Sequence, residues 1–411
     1  MRRREHDLVV YGASGFVGKL LSAYLAETAP AGLRVALAGR SREKLAAVRA
    51  ELPGAAREWP LVLADTADPG SVVALAESTR VLVTTVGPYA VLGMPVVEAC
   101  ARAGTHYADL SGELTFTRDA IDRTDAPARE SGARIVHSCG YDSLPSDLAV
   151  LLLAEQARTD GAGELRDVRL VATSRGGVSG GTVASMRGQA AIRRRDPSAR
   201  RLADDPFALS PDRPAEPDTS QPPDATLPSR TRDGRWTAPF VMAPYNTRLV
   251  RRSNALQSWS YGRGLTYGEV MGCGRGARGA ATAVGMTAGL AGLLGAMRFA
   301  PSRALLDRFL PAPGTGPDHA ARQSGWFRMV VEARTDLGRR YRATAAGPGD
   351  PGYAATAVMF GESALALALD GDRLPPRAGS LTPATALGDV LVRRLRAAGH
   401  AYEVVPSADP A

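Results

Sequence analysis

The sequence predicts an α/β protein, with an N-terminal doubly wound parallel sheet followed by a second α+β domain of mainly antiparallel sheet. Two observations support this prediction. Short apolar runs alternate with helical segments over the first 146 residues, which is typical of a parallel sheet covered on both faces. Beyond that point, candidate strands alternate polar and apolar residues, as strands do when one face of the sheet is exposed.

The predicted elements of the parallel domain follow one another at short intervals. The first helix is expected at 17–26, the second at 42–52 and a later one at 95–103. The apolar runs that predict strands are 8–11, 35–38, 61–64, 81–84, 106–109 and 134–137.

The predicted domain boundaries are 1–146, 147–345 and 346–411, with the last segment forming helices that pack back on the parallel domain. Residues 193–235 are rich in Pro, Asp and Arg and lack apolar periodicity, which indicates a long surface loop or lid. Residues 280–297 are apolar and uncharged, and consist mainly of Ala and Gly. A buried or interfacial helix is the preferred interpretation of this segment; the alternatives are a hairpin at a membrane surface and a true membrane span.

Composition and charge limit the function. The chain has 45% hydrophobic and 22% charged residues, which is typical of a globular protein. Its net charge of +8 fits either a surface rich in arginine or an anionic partner such as a phosphate-bearing cofactor, an acyl carrier or a membrane. No basic run is interleaved with aromatics, so a nucleic-acid partner is not expected. The three cysteines predict neither a disulfide framework nor a metal site, and together with an N-terminus that lacks a signal-peptide pattern they indicate a cytoplasmic protein.

A glycine-rich turn lies between the first strand and the first helix. Its first glycine permits the tight turn, its second lets the backbone approach a pyrophosphate, and its third packs helix against strand. The helix N-terminus then offers free N–H groups to the phosphates. This is the fingerprint of a Rossmann dinucleotide site, formed here by Gly12, Ala13, Ser14, Gly15, Phe16, Val17 and Gly18.

The second strand ends in Arg40 and Ser41, where an NAD-dependent enzyme usually has an acidic residue. A guanidinium and a hydroxyl suit a 2′-phosphate, so the sequence predicts NADP(H). The alternative is that Arg40 is an ordinary surface residue. Asp65 ends the third strand, where it is either a contact for the adenine or an N-cap of the next helix.

Two loops at the carboxyl ends of later strands are candidates for the catalytic site, because Rossmann sheets bind ligands at that edge. Gly87, Pro88 and Tyr89 follow the fourth strand, where Tyr89 is either a substrate contact or a packed aromatic. Tyr141 and Asp142 follow the last strand of the domain and are candidate proton donors. The same segment also has the pattern of a helix start, with a serine at 143 or 146 as the cap.

At these residues the chain resembles the saccharopine dehydrogenase-like oxidoreductases, and among them the trans-acting enoyl reductases. The resemblance covers nearly the whole chain. It implies NADPH-dependent reduction of an enoyl group, in the best-known members a polyketide delivered by a synthase that lacks its own reductase module. The matching stretches are 12–18, 39–41, 86–89, 106–113, 140–148, 179–182, 251–254 and 381–384, together with Tyr261, Gly262, Tyr267 and Glu269.

The sequence is therefore interpreted as an NADPH-dependent reductase of an α,β-unsaturated acyl or polyketide thioester in lipid biosynthesis. The substrate is free or bound to a carrier, and a homodimer and peripheral contact with lipid are further expectations. Two alternatives are an amino-acid oxidoreductase of the saccharopine dehydrogenase type and a non-catalytic NADP-binding protein at lipid surfaces. The amino-acid oxidoreductase needs cations to hold substrate carboxylates, for which Arg248, Arg251 and Arg252 are the candidates.

Overall fold

Two seven-stranded sheets organise the chain in the computed structural model, which describes residues 4–176, 180–296 and 319–407. The strands are β1 (His6–Tyr11), β2 (Val35–Gly39), β3 (Leu61–Leu63), β4 (Thr79–Thr84), β5 (His106–Ala108), β6 (Arg134–Val136), β7 (Leu165–Arg175), β8 (Ser229–Arg230), β9 (Trp236–Pro239), β10 (Thr266–Gly274), β11 (Trp326–Thr335), β12 (Arg340–Pro348), β13 (Gly379–Leu381) and β14 (Ala401–Pro406).

The helices cover both faces of the first sheet and one face of the second. They are α1 (Phe16–Thr28), α2 (Arg42–Glu51), α3 (Pro69–Ser78), α4 (Tyr89–Ala103), α5 (Leu114–Ser131), α6 (Leu144–Thr159), α7 (Gly180–Arg195), α8 (Pro197–Asp204), α9 (Ala243–Leu256), α10 (Gly276–Ala296), α11 (His319–Gln323), α12 (Thr356–Leu369), α13 (Pro383–Ala386) and α14 (Gly388–Ala397).

The first sheet has the order β3-β2-β1-β4-β5-β6-β13, with every neighbouring pair parallel. The central strand β1 is apolar on both faces, and Leu8, Val9 and Val10 are fully buried because helices cover both sides. The chain reverses its direction of winding between β1 and β4, which is where a dinucleotide binds in such sheets. The prediction of a doubly wound parallel sheet is confirmed.

The C-terminal segment contributes strands as well as helices. β13 extends the first sheet beyond β6, and β14 pairs with β12 at the edge of the second sheet. Helix α12 packs on α1 and on β4 of the first sheet. Gly361 makes this contact close, because a Cβ there would lie 2.3 Å from the ring of Tyr24.

The second sheet has the order β14-β12-β11-β7-β10-β9-β8. All of its neighbouring pairs are antiparallel except β7 with β10, so the prediction of a mainly antiparallel sheet is confirmed. Helix α6 leads from the first sheet to the second and lies against β11 and β12. Because it is enclosed on all sides, its residues from Leu144 to Ala154 are all buried.

The segment 193–235, which the sequence analysis treats as a surface loop, contains the end of α7, helix α8 and the short strand β8. Asp196 caps α8 by accepting a hydrogen bond from the Ser198 N–H, and Pro197 occupies the first turn. Ala199 and Ala203 form the buried side of this helix. A capping signal was therefore present in a region whose composition looked irregular.

Helix α10 corresponds to the apolar segment 280–297, of which Met297 lies outside the described residues. Of the preferred interpretation, a buried or interfacial helix, the described residues do not show the buried form. Of its 21 residues only Gly279 and Ala283 are buried, while Val284, Met286 and Leu294 are exposed. The helix contacts β9 and β10 without being enclosed by the described part of the chain.

Candidate active site

The glycine-rich turn has the geometry that its sequence requires. Gly12 has φ +86°, a conformation that favours glycine, and a Cβ there would lie 2.8 Å from the Thr85 hydroxyl oxygen. Gly18 lies directly against the turn, since its Cβ would be 2.2 Å from the carbonyl oxygen of Gly12. Gly15 is exposed and would meet only the Gly12 carbonyl, at 3.3 Å. The turn is thus closed on the side of the protein and open on the side of a ligand.

Helix α1 begins immediately after this turn. Gly15 is its N-cap and supplies no side-chain cap, so the first N–H groups of the helix remain available to an anion. Ser14 is half-buried in the turn, and Phe16 and Val17 line an adjacent cavity. The residues present therefore fit the pyrophosphate of a dinucleotide.

The residues predicted to select NADP(H) surround the end of β2. Arg40 is exposed, which leaves its guanidinium accessible to a phosphate. Ser41 is the N-cap of α2 and accepts a hydrogen bond from the Lys44 N–H at 3.3 Å. Asp65 accepts a hydrogen bond from the Ala67 N–H at 3.0 Å, and Asp68 is the N-cap of α3.

A cavity of about 500 Å³ opens directly beside the glycine-rich turn. Its walls come from the carboxyl edge of the first sheet and from helices of the second domain. Most of the lining side chains outside the turn are apolar. The larger apolar side chains of this lining are Leu110, Leu114, Met186, Phe240, Met242, Leu290 and Leu294.

Gly87, Pro88 and Tyr89 form part of the cavity wall, as their position after β4 predicts. The hydroxyl of Tyr89 donates a hydrogen bond to the Thr84 carbonyl oxygen at 3.1 Å and accepts one from the Leu110 N–H at 3.2 Å. The side chain is only 7% exposed. Both capacities of the hydroxyl are thus used by the backbone, which makes Tyr89 a packed wall residue.

The two candidate proton donors point to different places. Asp142 is half-buried and lines the cavity. Tyr141 does not line it; its ring packs edge-on against Phe327 of β11, with 5.2 Å between ring centroids. The Tyr141 hydroxyl is buried beside Ser174 and has no hydrogen-bond partner among the described residues, and burial raises its pKa well above the usual value. Of the two candidate donors, the structure therefore places only Asp142 at the wall of this cavity.

The cavity also contains polar residues that sequence reasoning missed. Glu113 is buried and accepts hydrogen bonds from the N–H groups of Tyr89 and Ala90 and from the Ser185 hydroxyl. Ser138 and Tyr245 are joined by a hydrogen bond of 2.6 Å between their hydroxyls. Glu113 ends the stretch 106–113 that carries the family resemblance, which was a signal for it, whereas the pairing of Ser138 with Tyr245 joins residues far apart in the sequence.

The later stretches that carried the family resemblance form buried polar contacts between the two sheets. Asp147 of α6 accepts hydrogen bonds from the Ser253 hydroxyl of α9 and from the Ala384 N–H of α13. Burial raises the pKa of Asp147 to about 6. The hydrogen bonds of Asp147 therefore hold α6, α9 and α13 together. Ser179 of another such stretch lies outside the described residues.

The three arginines proposed to hold substrate carboxylates are engaged elsewhere. Arg248 pairs with Asp224 and donates to two backbone carbonyls. Arg251 donates to the carbonyls of Pro206 and Tyr267 and to the side-chain oxygen of Gln221. Arg252 donates to the carbonyls of Leu209 and Ser380. None of the three lines the cavity. The feature that favoured an amino-acid oxidoreductase is therefore structural.

Comparison with known proteins identifies the family. The family model of the saccharopine dehydrogenase NADP-binding domain matches residues 8–136. A Mycobacterium tuberculosis protein that is provisionally named a trans-acting enoyl reductase is 50% identical over 408 residues, covering 96% of each chain. The trans-acting enoyl reductase of Mycobacterium ulcerans is 46% identical over 409 residues, covering 97% of each chain.

Among solved structures, apo saccharopine dehydrogenase (L-Glu forming) from Saccharomyces cerevisiae has a TM-score of 0.54 at 14% identity. The match covers 98% of this chain and 99% of the other, and it shows that the two share a fold. The two mycobacterial relatives are far more similar in sequence, and their alignments cover nearly the whole chain. The chain is an NADP-dependent oxidoreductase that belongs to the family of trans-acting enoyl reductases.

Proposed function

We propose that the protein reduces the α,β-double bond of an acyl or polyketide thioester in lipid biosynthesis. One observation carries this proposal: the dinucleotide turn and a mainly apolar cavity share a continuous wall. Gly15, Phe16 and Val17 line the same cavity as Phe240 and Leu294. The mainly apolar lining suits an acyl chain, and Arg193, the one cation that it has among the described residues, would leave the other carboxylates of a dicarboxylic amino acid unpaired.

The cofactor, when bound, would supply the hydride that reduces the β-carbon. The protein positions the reactants and keeps water away from them. The N-terminus of α1 would hold the pyrophosphate, and Gly87 and Pro88 would border the nicotinamide half at the carboxyl edge of the sheet. Leu110, Leu114 and Met242 line the chamber where the acyl chain would lie, so its entry would displace water from the reacting carbons.

The direct test follows the loss of NADPH absorbance with enoyl thioesters of short, medium and long chains. The same acyl groups are offered on coenzyme A and on a carrier protein, which shows whether the carrier contributes to recognition. Lysine with 2-oxoglutarate is the comparison substrate. Oxidation of NADPH with lysine and 2-oxoglutarate alone would contradict the proposal, and so would oxidation with neither class.

Arg40 should determine the choice of cofactor. Its exposed guanidinium can pair with the 2′-phosphate that distinguishes NADPH from NADH. We expect NADPH to bind at least about tenfold more tightly, which corresponds to about 1.4 kcal/mol. Arg40→Asp should reverse much of this preference in calorimetric titrations with both cofactors. The neighbouring Arg42→Asp is the matched control, and equal affinities of the wild type for both cofactors would contradict the assignment.

We assign the proton for the α-carbon to Asp142, the one member of the candidate pair at the cavity wall. Asp142→Asn should lower turnover by about a hundredfold, the usual scale for loss of a general acid. Tyr141→Phe should leave turnover within about twofold, because the hydroxyl that it removes has no hydrogen-bond partner among the described residues and does not belong to the cavity lining. The reverse result for the two variants would restore Tyr141 as the donor.

We further propose that α10 contacts a lipid surface. Helix α10 is long and apolar enough to cross a membrane, yet only 11% of its most apolar window is buried. A second helical segment that passes the same criterion, Pro351–Leu369, is 78% buried and belongs to the core. Leu290 and Leu294 line the cavity, so the exposed helix adjoins the chamber proposed for the acyl chain. Arg275 and Arg278 stand at its exposed N-terminal end, which suits anionic headgroups.

Flotation with liposomes tests this contact. The wild type should float with vesicles that contain anionic lipid, and the double change Val284→Asp and Met286→Asp should abolish flotation without lowering the melting temperature. Leu337→Asp, at an exposed leucine on the β11–β12 turn, is the control. If the wild type does not float, and the double variant loses a self-association that sedimentation detects in the wild type, this face is instead a homodimer contact.

A further inference from the structure

The first turn of α6 contains a hydroxyl group with no evident structural use. Ser143 is the N-cap of this 16-residue helix and is 1% exposed. Its Oγ is buried and has no hydrogen-bond partner among the described residues. A buried hydroxyl without a partner is costly, so it is expected to have a function.

Local geometry explains why Ser143 does not cap its own helix. A capping serine has an extended backbone and accepts a hydrogen bond from the second or third N–H of the helix. Ser143 has φ −140° and ψ −35°, outside that region. The second helical position is Pro145, which has no N–H. The Ser143 hydroxyl is therefore not held by its own helix.

Ser143 forms part of the cavity wall, beside Gly140 and Asp142. Five other hydroxyls of that wall donate to protein oxygen atoms: Thr85 to Gly12, Tyr89 to Thr84, Ser138 to Ser111, Ser185 to Glu113 and Thr356 to Pro351. Ser143 differs from these five in having a free proton to donate.

We propose that Ser143 Oγ donates a hydrogen bond to the thioester carbonyl oxygen, with the N-terminus of α6 adding its partial positive charge. The inference rests on the proposed function. As the hydride and its electron pair join the β-carbon, the π electrons of the double bond move toward the carbonyl, and its oxygen becomes an enolate. That negative charge is what a hydroxyl and a helix N-terminus stabilise. The electrons return when the α-carbon takes up a proton, which yields the saturated thioester and oxidised cofactor.

This placement also orients the substrate. The carbonyl would lie at the α6 end of the cavity, beside Asp142, which brings the α-carbon within reach of the assigned acid. The acyl chain would then extend toward Phe240, Leu290 and Leu294. Stabilisation of the enolate by Ser143 and protonation of the α-carbon by Asp142 are thus carried out by consecutive residues of one turn, while the apolar wall holds the acyl chain.

Kinetics with an enoyl thioester provide the first test. Ser143→Ala should lower kcat by about a hundredfold, the usual scale for one oxyanion donor, with NADPH affinity unchanged. Ser143→Thr keeps the hydroxyl and should recover most of the loss. Ser146→Ala is the control from the same helical turn, because Ser146 is buried but does not line the cavity. Normal turnover by Ser143→Ala, or loss of NADPH binding, would overturn the inference.

A second readout does not depend on turnover. The carbonyl stretch of a bound saturated acyl-CoA, labelled with carbon-13 at the carbonyl, is measured by infrared difference spectroscopy in the presence of NADP⁺. A hydrogen bond from Ser143 should lower its frequency in the wild type and not in Ser143→Ala. If the wild type reduces no enoyl thioester but shows this shift, the proposed function fails and the hydrogen bond stands. If Ser143→Ala turns over at the normal rate and the carbonyl frequency shifts equally in both proteins, the inference fails and the proposed function stands.

Discussion

Gly18→Ala is expected to weaken NADPH binding by at least about a hundredfold, or about 2.7 kcal/mol. The added Cβ would lie 2.2 Å from the Gly12 carbonyl oxygen and 2.8 Å from the Ala13 Cα, and both contacts are with backbone. The turn cannot move aside easily, because the Gly12 carbonyl also accepts hydrogen bonds from the Gly15 N–H and the Thr85 hydroxyl. Helix α1 must therefore shift away from the phosphate site. Calorimetric titration with NADPH measures the effect.

Two further variants make this result interpretable. Gly371→Ala is the matched control, since a Cβ at Gly371 has no heavy atom within 4 Å. Gly15→Ala should fold normally, because its Cβ meets only the Gly12 carbonyl at 3.3 Å, but it should obstruct the approach of the pyrophosphate. Wild-type affinity in a folded Gly18→Ala protein would show that the close packing of α1 is not required for binding.

Glu269→Gln should remove a large pH dependence of stability. Glu269 is buried where it accepts hydrogen bonds from the Tyr267 hydroxyl at 2.7 Å and the Asn246 amide at 2.9 Å. Burial raises its pKa from 4.5 to about 7. The folded state thus binds more protons than the unfolded state between these values, so the free energy of unfolding falls as the pH rises from 4.5 through 7. The wild type should lose about 3 kcal/mol over this interval relative to Glu269→Gln.

Denaturant unfolding of both proteins at pH 5 and pH 8 gives this difference. Asp147 has a raised pKa as well, and burial lowers the pKa values of His106 and His400 to about 4, which acts in the opposite direction. These groups are common to both proteins and cancel in the comparison. Glu332→Gln, at a position 56% exposed on β11, is the control. Parallel pH profiles of wild type and Glu269→Gln would mean that Glu269 stays ionised in the folded protein.

The parts of the fold that were predictable from sequence are those encoded by contiguous patterns. The parallel sheet follows from alternating strands and helices, and the dinucleotide turn follows from three glycines at fixed spacing. Strand β13 was not predictable, because three residues carry no periodicity and pair with a strand formed much earlier in the chain. For the candidate site, the sequence predicted which loops border it but not which of their side chains face the cavity. Tyr141, Asp142 and Ser143 are consecutive, but a turn directs neighbouring side chains to different sides, and only tertiary structure decides which side faces the cavity.

The place of β13 has a consequence for biosynthesis of the protein. On the ribosome, the first six strands are complete long before residues 379–381 emerge, so β6 remains an unpaired edge while the second domain is made. Helix α12, which covers α1 and β4, is also missing during that time. The nucleotide-binding half therefore completes its sheet and its helical cover only when the C-terminal segment has been made. A nascent chain with an open edge is a substrate for chaperones, and a truncated product would be prone to aggregate.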